Sequence, residues 1–289
     1  MDAPGLTVAD TVDVIQRHYN HLHYALCYQF HGVAHGLEAR YADPLRLIRC
    51  GYRVYSQNDE DGILDEIFRR IGTTSRTFVE FGVGDGMENN TLYRMLQGWR
   101  GAWIEADPKR AGQIAERFAR FRHAGVLRCK NAFITAENIQ KLFGELEVAE
   151  EFDLLSIDID GNDYWVWQAI EQHLPRVVVI EYNAGFGPSA EWVMDYDPQH
   201  AWSGTRNVGA SLKALELLGA EKGYRLVGCN LKGINAFFVR QDLVGEKFLA
   251  PFTAEAHYEP PRYHLWFSTG HKKDPAELAS FPLPVAVEG

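Results

Sequence analysis

The most informative segment of this chain reads Thr77-Phe78-Val79-Glu80-Phe81-Gly82-Val83-Gly84-Asp85-Gly86. Its first five residues predict a short buried strand, because apolar and β-branched side chains dominate them. The three glycines that follow predict a tight turn, since glycine adopts left-handed backbone angles and lets a ligand approach the main chain. Ligands bind at the carboxyl ends of strands in open α/β sheets, so this turn is a candidate binding site.

Strand and helix patterns alternate on both sides of this segment. The predicted strands cover, in chain order, residues 77–81, 102–105, 126–129, 153–158, 177–181, 224–229 and 236–240. Helical patterns between the first strands imply a parallel sheet with right-handed crossovers, whereas the last two strands are close enough for an antiparallel hairpin. We predict an α/β, Rossmann-like, doubly wound fold with a seven-stranded mixed sheet, an antiparallel terminal hairpin and an N-terminal helical extension.

Three regions are expected along the chain. Residues 1–54 form the N-terminal helical extension, which we expect to cover the cleft or to make a homodimer contact. Residues 55–245 form the core, and residues 246–289 form an irregular tail in which aromatic residues from Tyr263 onward pack back over the cleft. His31 and His35 have a zinc-type spacing, but the glycines beside them disfavour the helix that such a site needs.

Composition excludes several classes of protein. The formal net charge is −10 and no basic tract occurs, which argues against a nucleic-acid partner. No apolar run approaches the roughly 18–20 residues that cross a bilayer, and the start of the sequence lacks the pattern of a signal peptide. The four cysteines lack any CxxC spacing and suit reduced thiols. We expect a cytoplasmic protein that acts on a small molecule and does not bind membranes.

Two acidic residues near the glycine turn indicate the type of ligand. Glu105 ends the second predicted strand, roughly 20 residues after the turn, where a carboxylate accepts hydrogen bonds from a ribose diol. Glu80 lies at the end of the first strand, where its charge would repel a pyrophosphate but could hold an ammonium group. Together with a GxGxG order in place of GxGxxG, these residues favour a sulfonium nucleoside with an amino-acid tail over NAD.

This order of motifs resembles the class I S-adenosylmethionine-dependent methyltransferases. Segments 78–84, 156–161 and 178–181 are similar to the motifs of FkbM-type O-methyltransferases, although Asp160 with Asn162 and Asp163 stands where that family more often has Glu-Gly-x-Glu. The resemblance covers about residues 55–240 and implies S-adenosylmethionine as the cofactor. The cofactor contacts that it implies are Gln57, Glu80, Gly82, Gly84, Glu105, Asn131 and Asp158.

Acidic and amide side chains also end the fourth and fifth predicted strands. Asp158 ends the fourth strand and Asp160 follows it, while Glu181 ends the fifth strand and Asn183 follows it. Neighbouring strands lie ~4.8 Å apart, so these groups converge if the two strands are adjacent. Asp158, Glu181 and Asn183 would then hold Mg²⁺ or another divalent cation, an arrangement that resembles catechol-type O-methyltransferases. The alternatives are direct general-base catalysis by Asp158 or Asp160, and a purely structural role in helix capping.

The long loop after the fifth strand, residues 184–208, is rich in aromatic residues, which argues for an ordered functional segment. We predict that His200 acts as a second base and that Trp202 and Arg206 recognise the acceptor. Arg206 would bind a carboxylate or phosphate, whereas Trp202 could equally pin the loop to the core.

We therefore predict an enzyme, a transferase that moves a methyl group from S-adenosylmethionine to a hydroxyl of a small molecule, a sugar or natural-product intermediate, with or without a metal. Three alternatives remain at this point. The Asp158-Ile159-Asp160 pattern is also the DxD signature of metal-dependent glycosyltransferases. The glycine turn is compatible with an NAD-dependent oxidoreductase, and a non-catalytic Rossmann-type binding protein would bind the cofactor weakly or not at all.

Overall fold

The computed structural model describes residues 39–202, 204–263 and 275–283. One seven-stranded sheet forms the centre, and its strands are β1 (Thr77–Phe81), β2 (Arg100–Glu105), β3 (Leu127–Asn131), β4 (Glu151–Ile157), β5 (Leu174–Glu181), β6 (Tyr224–Cys229) and β7 (Asn235–Arg240). The strand order is β3-β2-β1-β4-β5-β7-β6. The first five strands pair in parallel, and β7 runs antiparallel between β5 and β6. The predicted fold class is confirmed, while residues 1–38 of the proposed N-terminal extension, which include His31 and His35, lie outside the described residues.

Helices cover both faces of the sheet. They are α1 (Glu60–Ile71), α2 (Leu92–Leu96), α3 (Pro108–Arg117), α4 (Ala119–His123), α5 (Ile139–Glu145), α6 (Asp163–Ala169), α7 (Leu212–Glu221), α8 (Gln241–Val244) and α9 (Ala254–His257). Local sequence sets some of their starts: the Asp107 carboxylate accepts hydrogen bonds from the first-turn N–H groups of α3, and Pro108 begins the helix. No helix in the described part of the chain is long and apolar enough to span a bilayer.

The core consists of two apolar layers, one on each side of the sheet. Helices α5, α6 and α7 pack on one face, with Phe143 and Trp167 among the fully buried side chains. Helices α1 to α4 pack on the other face, where Leu64 and Phe118 are fully buried. Because both faces are covered, the strands read as nearly continuous apolar runs and the carboxyl edge of the sheet is left for ligands.

The point where the strand order reverses lies between β1 and β4. Gly82 leaves β1 there with a φ of +68°, and a Cβ atom built on it would lie 1.7 Å from the carbonyl oxygen of Asp158. Only glycine fits, because any side chain would collide with the backbone that follows β4. The glycine turn and the acidic end of β4 are therefore in direct contact.

The segment before α1 is fixed to the β6–β7 hairpin by buried polar groups. The Glu60 carboxylate accepts hydrogen bonds from the amide groups of Asn58, Asn230 and Asn235, each about 3 Å long. The Asp61 carboxylate accepts from three successive backbone N–H groups, those of residues 54–56. These contacts place Gln57, which lies between them in the chain, over the carboxyl edge of the sheet.

Asp59 makes folding stability depend on pH. Burial raises the pKa of its carboxyl to about 7, and the neighbouring Glu60 charge adds to the shift. The folded chain therefore keeps a proton that the unfolded chain releases from about pH 4 upward, so this contribution to stability falls as the pH rises toward 7. We expect Asp59→Asn to raise the melting temperature near pH 8 and to have little effect near pH 4.

The measurement is thermal unfolding across that pH range, with Asp195→Asn as the control because Asp195 is exposed. A control that flattens the profile as much as Asp59→Asn, or a profile unchanged by Asp59→Asn, would contradict the assignment.

Candidate active site

A cavity of about 370 Å³ opens at the carboxyl ends of β1, β2, β3 and β4. We call it the donor cavity, because it lies where the sequence analysis predicts the methyl donor. The loop after β5 closes one side of it, and the segment before α1 reaches its rim. Its lining consists of Gln57, Gly82, Ile104, Glu105, Ala106, Arg110, Ala132, Phe133, Ile134, Asp158, Ile159, Asp160, Asn162, His200, Ala201 and Trp202. A cavity of this size lies within the usual range of small-ligand sites.

Glu105 links the donor cavity to the glycine turn. One carboxylate oxygen accepts a hydrogen bond of 2.8 Å from Gly84 N–H, and the other accepts one of 2.9 Å from Asp107 N–H. The side chain is buried at the end of β2, as the sequence predicts. Each oxygen keeps a second lone pair, which leaves the carboxylate able to accept from the hydroxyls of a ribose.

Glu80 has a different environment from the one we predicted. Its carboxylate accepts hydrogen bonds from the N–H groups of Asn90 and Thr91 and from the hydroxyls of Thr91 and Ser156. Burial still raises its pKa to about 7. The side chain does not line the donor cavity, so it holds the chain after the glycine turn against β4, and its predicted contact with a cofactor ammonium group is not part of this arrangement.

Three carboxylates meet at the ends of β4 and β5. Oxygen atoms of Asp158, Asp160 and Glu181 all lie within 4.8 Å of one another. We call these residues the carboxylate group. Within the described ranges, none of the three has a hydrogen-bond or ion-pair partner for its side chain.

Burial and neighbouring negative charges raise the pKa values of two members of the carboxylate group, Asp158 and Glu181. Desolvation raises the pKa of Asp158 well above its usual range, and the charges of Asp163 and Asp160 raise it further. Desolvation and the charge of Asp158 do the same for the pKa of Glu181. Carboxylic acids with raised pKa values in a cleft are typical of general bases and of ligands for a cation.

The turn between β4 and α6 is built by two further polar residues. The Asp163 carboxylate accepts hydrogen bonds of 2.9 Å from the N–H groups of Ile159 and Gly161. The Asn162 amide donates to the carbonyl oxygen of Asp197, and among the described residues its own oxygen is buried without a partner.

The loop after β5 contributes to two different places. His200 lies against Gly161, where a Cβ atom would come within 2.4 Å of the imidazole, and its Nε2 lies 3.1 Å from the Asp160 carbonyl oxygen. His200 and Trp202 line the donor cavity, while Arg206 lines a smaller neighbouring cavity. The structure therefore places the two predicted acceptor residues, Trp202 and Arg206, in separate cavities.

Two other predicted residues are engaged in the fold. The Asn131 amide donates to the backbone carbonyls of Glu105 and Ala106 and lies outside the lining of the donor cavity. The Asn183 amide oxygen accepts from Gly185 N–H, and its nitrogen donates to the carbonyls of Arg206 and Val208. Asn183 thus orders the loop. We predicted Asn183 as the third ligand beside Asp158 and Glu181, but the residue that lies with these two is Asp160.

Sequence reasoning missed three residues at the donor cavity. Arg110 in the first turn of α3, Phe133 after β3 and Asn162 after β4 line it. The rings of Phe133 and Trp202 are 48% and 60% exposed. The position of Phe133 just beyond the end of β3 is the one signal that pointed to this edge of the sheet.

No protein-family model matches this sequence, and no curated protein matches it either. Among solved structures, the chain is similar to the O-methyltransferase from Bacillus cereus in complex with SAH, with 18% identity and a TM-score of 0.38 over 75% of this chain and 88% of that one. It is also similar to a S-adenosylmethionine-dependent methyltransferase from Clostridium acetobutylicum, with 12% identity and a TM-score of 0.39 over 74% and 98%.

A third similar structure is StiE O-MT, with 13% identity and a TM-score of 0.37 over 58% of this chain. There the match spans about half, 53%, of the length of that chain. These likenesses are too distant to assign an activity, so the resemblance to FkbM-type enzymes stays a prediction and the function rests on the geometry of the site.

Proposed function

We propose that this chain is an S-adenosylmethionine-dependent methyltransferase that acts on a hydroxyl oxygen of a small molecule. The observation that supports this most directly is the donor cavity, which contains both Glu105, whose carboxylate can accept hydrogen bonds from ribose hydroxyls, and two members of the carboxylate group, Asp158 and Asp160. A nucleoside bound along the ends of β1 and β2 would present its reactive end to Asp158. That arrangement matches a donor and a base in one cleft.

The residues of the donor cavity fit this cofactor in two ways. Gly82 lines the end of β1 with backbone alone, and Glu105 has free lone pairs for ribose hydroxyls. The acidic lining favours a ligand with a positive sulfonium and ammonium group. The same acids oppose the diphosphate of NAD or of a nucleotide sugar, because like charges in a partly desolvated site repel one another.

Methyl transfer to a hydroxyl needs a base close to the acceptor oxygen. When bound, S-adenosylmethionine supplies an electrophilic methyl group on a positively charged sulfur. Asp158 would accept the hydroxyl proton while the acceptor oxygen takes the methyl group, and the sulfur would keep the electron pair of the broken carbon–sulfur bond. The raised pKa of Asp158 makes its carboxylate a stronger base than that of an ordinary aspartate. His200 lies close enough to the same turn to serve as the second base that we predict.

A metal-assisted form of the same reaction is the second candidate. Oxygen atoms of Asp158, Asp160 and Glu181 within 4.8 Å of one another are suitable ligands for a hard divalent cation such as Mg²⁺. The cation would relieve the repulsion among the acids and lower the pKa of a bound hydroxyl. Loss of activity in EDTA, restored by Mg²⁺ but not in Glu181→Gln, would favour this form over direct base catalysis.

Thermal unfolding with candidate ligands tests the proposal before any acceptor is known. S-Adenosylmethionine and S-adenosylhomocysteine at about 100 times their dissociation constants should add ~2.7 kcal/mol, which raises the melting temperature of a chain of this length by about 4 °C. NAD and a UDP-sugar should leave the melting temperature unchanged. A shift with NAD or the UDP-sugar and none with the sulfur nucleosides would favour the oxidoreductase or glycosyltransferase instead, and no shift with any ligand would favour a non-catalytic protein.

A further inference from the structure

A second cavity of about 150 Å³ lies next to the donor cavity. We call it the side cavity. The turn between β4 and α6 separates the two, with Asp158, Asp160 and Asn162 lining the donor cavity and Gly161 and Asp163 lining the side cavity. At ~30 Å³ for each water molecule, the side cavity holds about five waters, so it has room for part of a small ligand.

Opposite charges face the side cavity from two different elements. Glu181, a member of the carboxylate group, contributes from the end of β5, and Arg206 contributes from the loop after β5. Among the described residues, the guanidinium of Arg206 has no hydrogen-bond or ion-pair partner. No ion pair joins Arg206 to Glu181 or Asp163 in the described part of the chain, although all three residues line the side cavity.

Tyr263 completes the side cavity between these charges. Burial and the Glu181 charge raise the pKa of its phenol, whereas Arg206 lowers that pKa, which shows that both charged groups act on the same ring. Within the described part of the chain the phenol oxygen also has no hydrogen-bond partner. With respect to the described residues, Arg206 and Tyr263 therefore offer six unpaired N–H and O–H donors to the side cavity.

The backbones of both residues are held in place although their side chains are partly exposed. The Asn183 amide donates a 2.7 Å hydrogen bond to the carbonyl oxygen of Arg206. The segment before Tyr263 is tied to the sheet by Glu259, which is buried and pairs with Arg40 and Arg262. The Tyr182 hydroxyl donates to the Glu259 carbonyl at 2.7 Å. Preorganised donors cost less entropy when they bind a ligand.

We propose that the side cavity binds the methyl acceptor and that Arg206 and Tyr263 select acceptors with an anionic group, a carboxylate or a phosphate. A guanidinium binds either anion through two parallel hydrogen bonds, and the phenol adds a third. The anionic group at Arg206 directs the hydroxyl end of the acceptor toward Glu181 and Asp158. This inference rests on the proposed methyl-transfer function, because it assigns the second substrate of that reaction.

The test uses the full chain loaded with S-adenosylhomocysteine and matched pairs of hydroxylated probes. The probes are glucose, glucuronate and glucose 6-phosphate, together with catechol and 3,4-dihydroxybenzoate, titrated calorimetrically at about 0.15 M salt to suppress nonspecific ion pairing. At least one anionic probe should bind about tenfold more tightly than its neutral counterpart, and the carboxylate and phosphate arms identify which anion is preferred.

Two variants and one control assign the preference to the side cavity. Arg206→Met should remove the roughly tenfold preference and Tyr263→Phe should reduce it about threefold, while the affinity for S-adenosylhomocysteine stays within about twofold. Arg100→Met is the matched control, because Arg100 begins β2 at the opposite end of the sheet. It should leave every affinity unchanged.

The outcomes separate the two proposals. If the chain does not bind S-adenosylhomocysteine, the proposed function fails. If it binds S-adenosylhomocysteine but no anionic probe binds more tightly than its neutral counterpart, or if the preference survives in Arg206→Met, the inference about the acceptor is overturned while the proposed function stands.

Discussion

Asp158→Asn is expected to stabilise the fold near pH 8 and to abolish most methyl transfer. Asp158 has no partner for its carboxyl among the described residues, and burial with the charges of Asp163 and Asp160 raises its pKa. When folding raises the pKa of a carboxyl, the free energy of unfolding falls as the pH rises from the pKa of the unfolded chain toward that of the folded chain. Asparagine has no charge to lose, so its melting temperature should exceed that of the wild type near pH 8 and match it near pH 4.

Activity should change in the opposite direction. Removal of a general base costs about 10²–10⁴-fold in turnover. We expect a loss in this range when the formation of S-adenosylhomocysteine is measured in the presence of the acceptor that the probes identify. The affinity for S-adenosylhomocysteine should stay within about threefold of the wild-type value, because the substitution leaves Glu105 and Gly82 unchanged. Gains in stability with losses in activity are typical of residues held in an unfavourable environment for function.

Asp195→Asn is again the control, since this exposed residue should alter neither quantity. A variant at Asp158 that melts at the wild-type temperature near pH 8 would show that the repulsion within the carboxylate group is relieved in some other way. A large loss of S-adenosylhomocysteine affinity would place Asp158 in cofactor binding and not in acceptor activation.

Gly82→Ala should destabilise the chain by about 4 kcal/mol, near the upper end of single substitutions. The new Cβ atom would lie 1.7 Å from the Asp158 carbonyl oxygen, and both sides of this contact are backbone that no side-chain rotation relieves. β1 and β4 would have to separate at the point where their ends meet. Urea unfolding measures the loss, and calorimetry should show that S-adenosylhomocysteine binds at least about tenfold more weakly.

Gly84→Ala is the matched control for this prediction. Gly84 also has a positive φ, of +60°, but no atom beyond its chain neighbours lies within 4 Å of its would-be Cβ. Its substitution should cost only the ~1 kcal/mol of the left-handed conformation. Equal losses of stability at the two glycines would mean that backbone conformation, and not the contact between β1 and β4, accounts for the requirement.

Residues that act from strand ends were predictable from the sequence. Glu105 ends β2 and Asp158 directly follows β4. The carboxyl ends of parallel strands lie at one edge of the sheet whatever the details of packing. Asp160 and Glu181 were placed at this edge for the same reason, and their oxygen atoms do lie close to that of Asp158. The general position of the site therefore followed from strand order alone.

Residues whose role depends on side-chain direction were not predictable in the same way. Glu80 lies two positions before Gly82, yet its carboxylate accepts hydrogen bonds from Asn90, Thr91 and Ser156 and does not line the donor cavity. Successive side chains of a strand face opposite sides of the sheet, and the hydrogen-bond donors that chose between them lie ten or more residues away. The engagement of Asn131 and Asn183 by backbone groups has the same origin.

The linear pattern of apolar strands, helical stripes and glycines determined the class of fold, because periodicity and turn chemistry are local properties. It also determined that acidic groups would gather at one edge. Only the tertiary structure decided that the loop after β5 would divide between two cavities, with Trp202 at one and Arg206 at the other. It likewise brought Tyr263 beside Glu181. Contacts between residues about 80 positions apart depend on how the layers pack, and no local pattern specifies that packing.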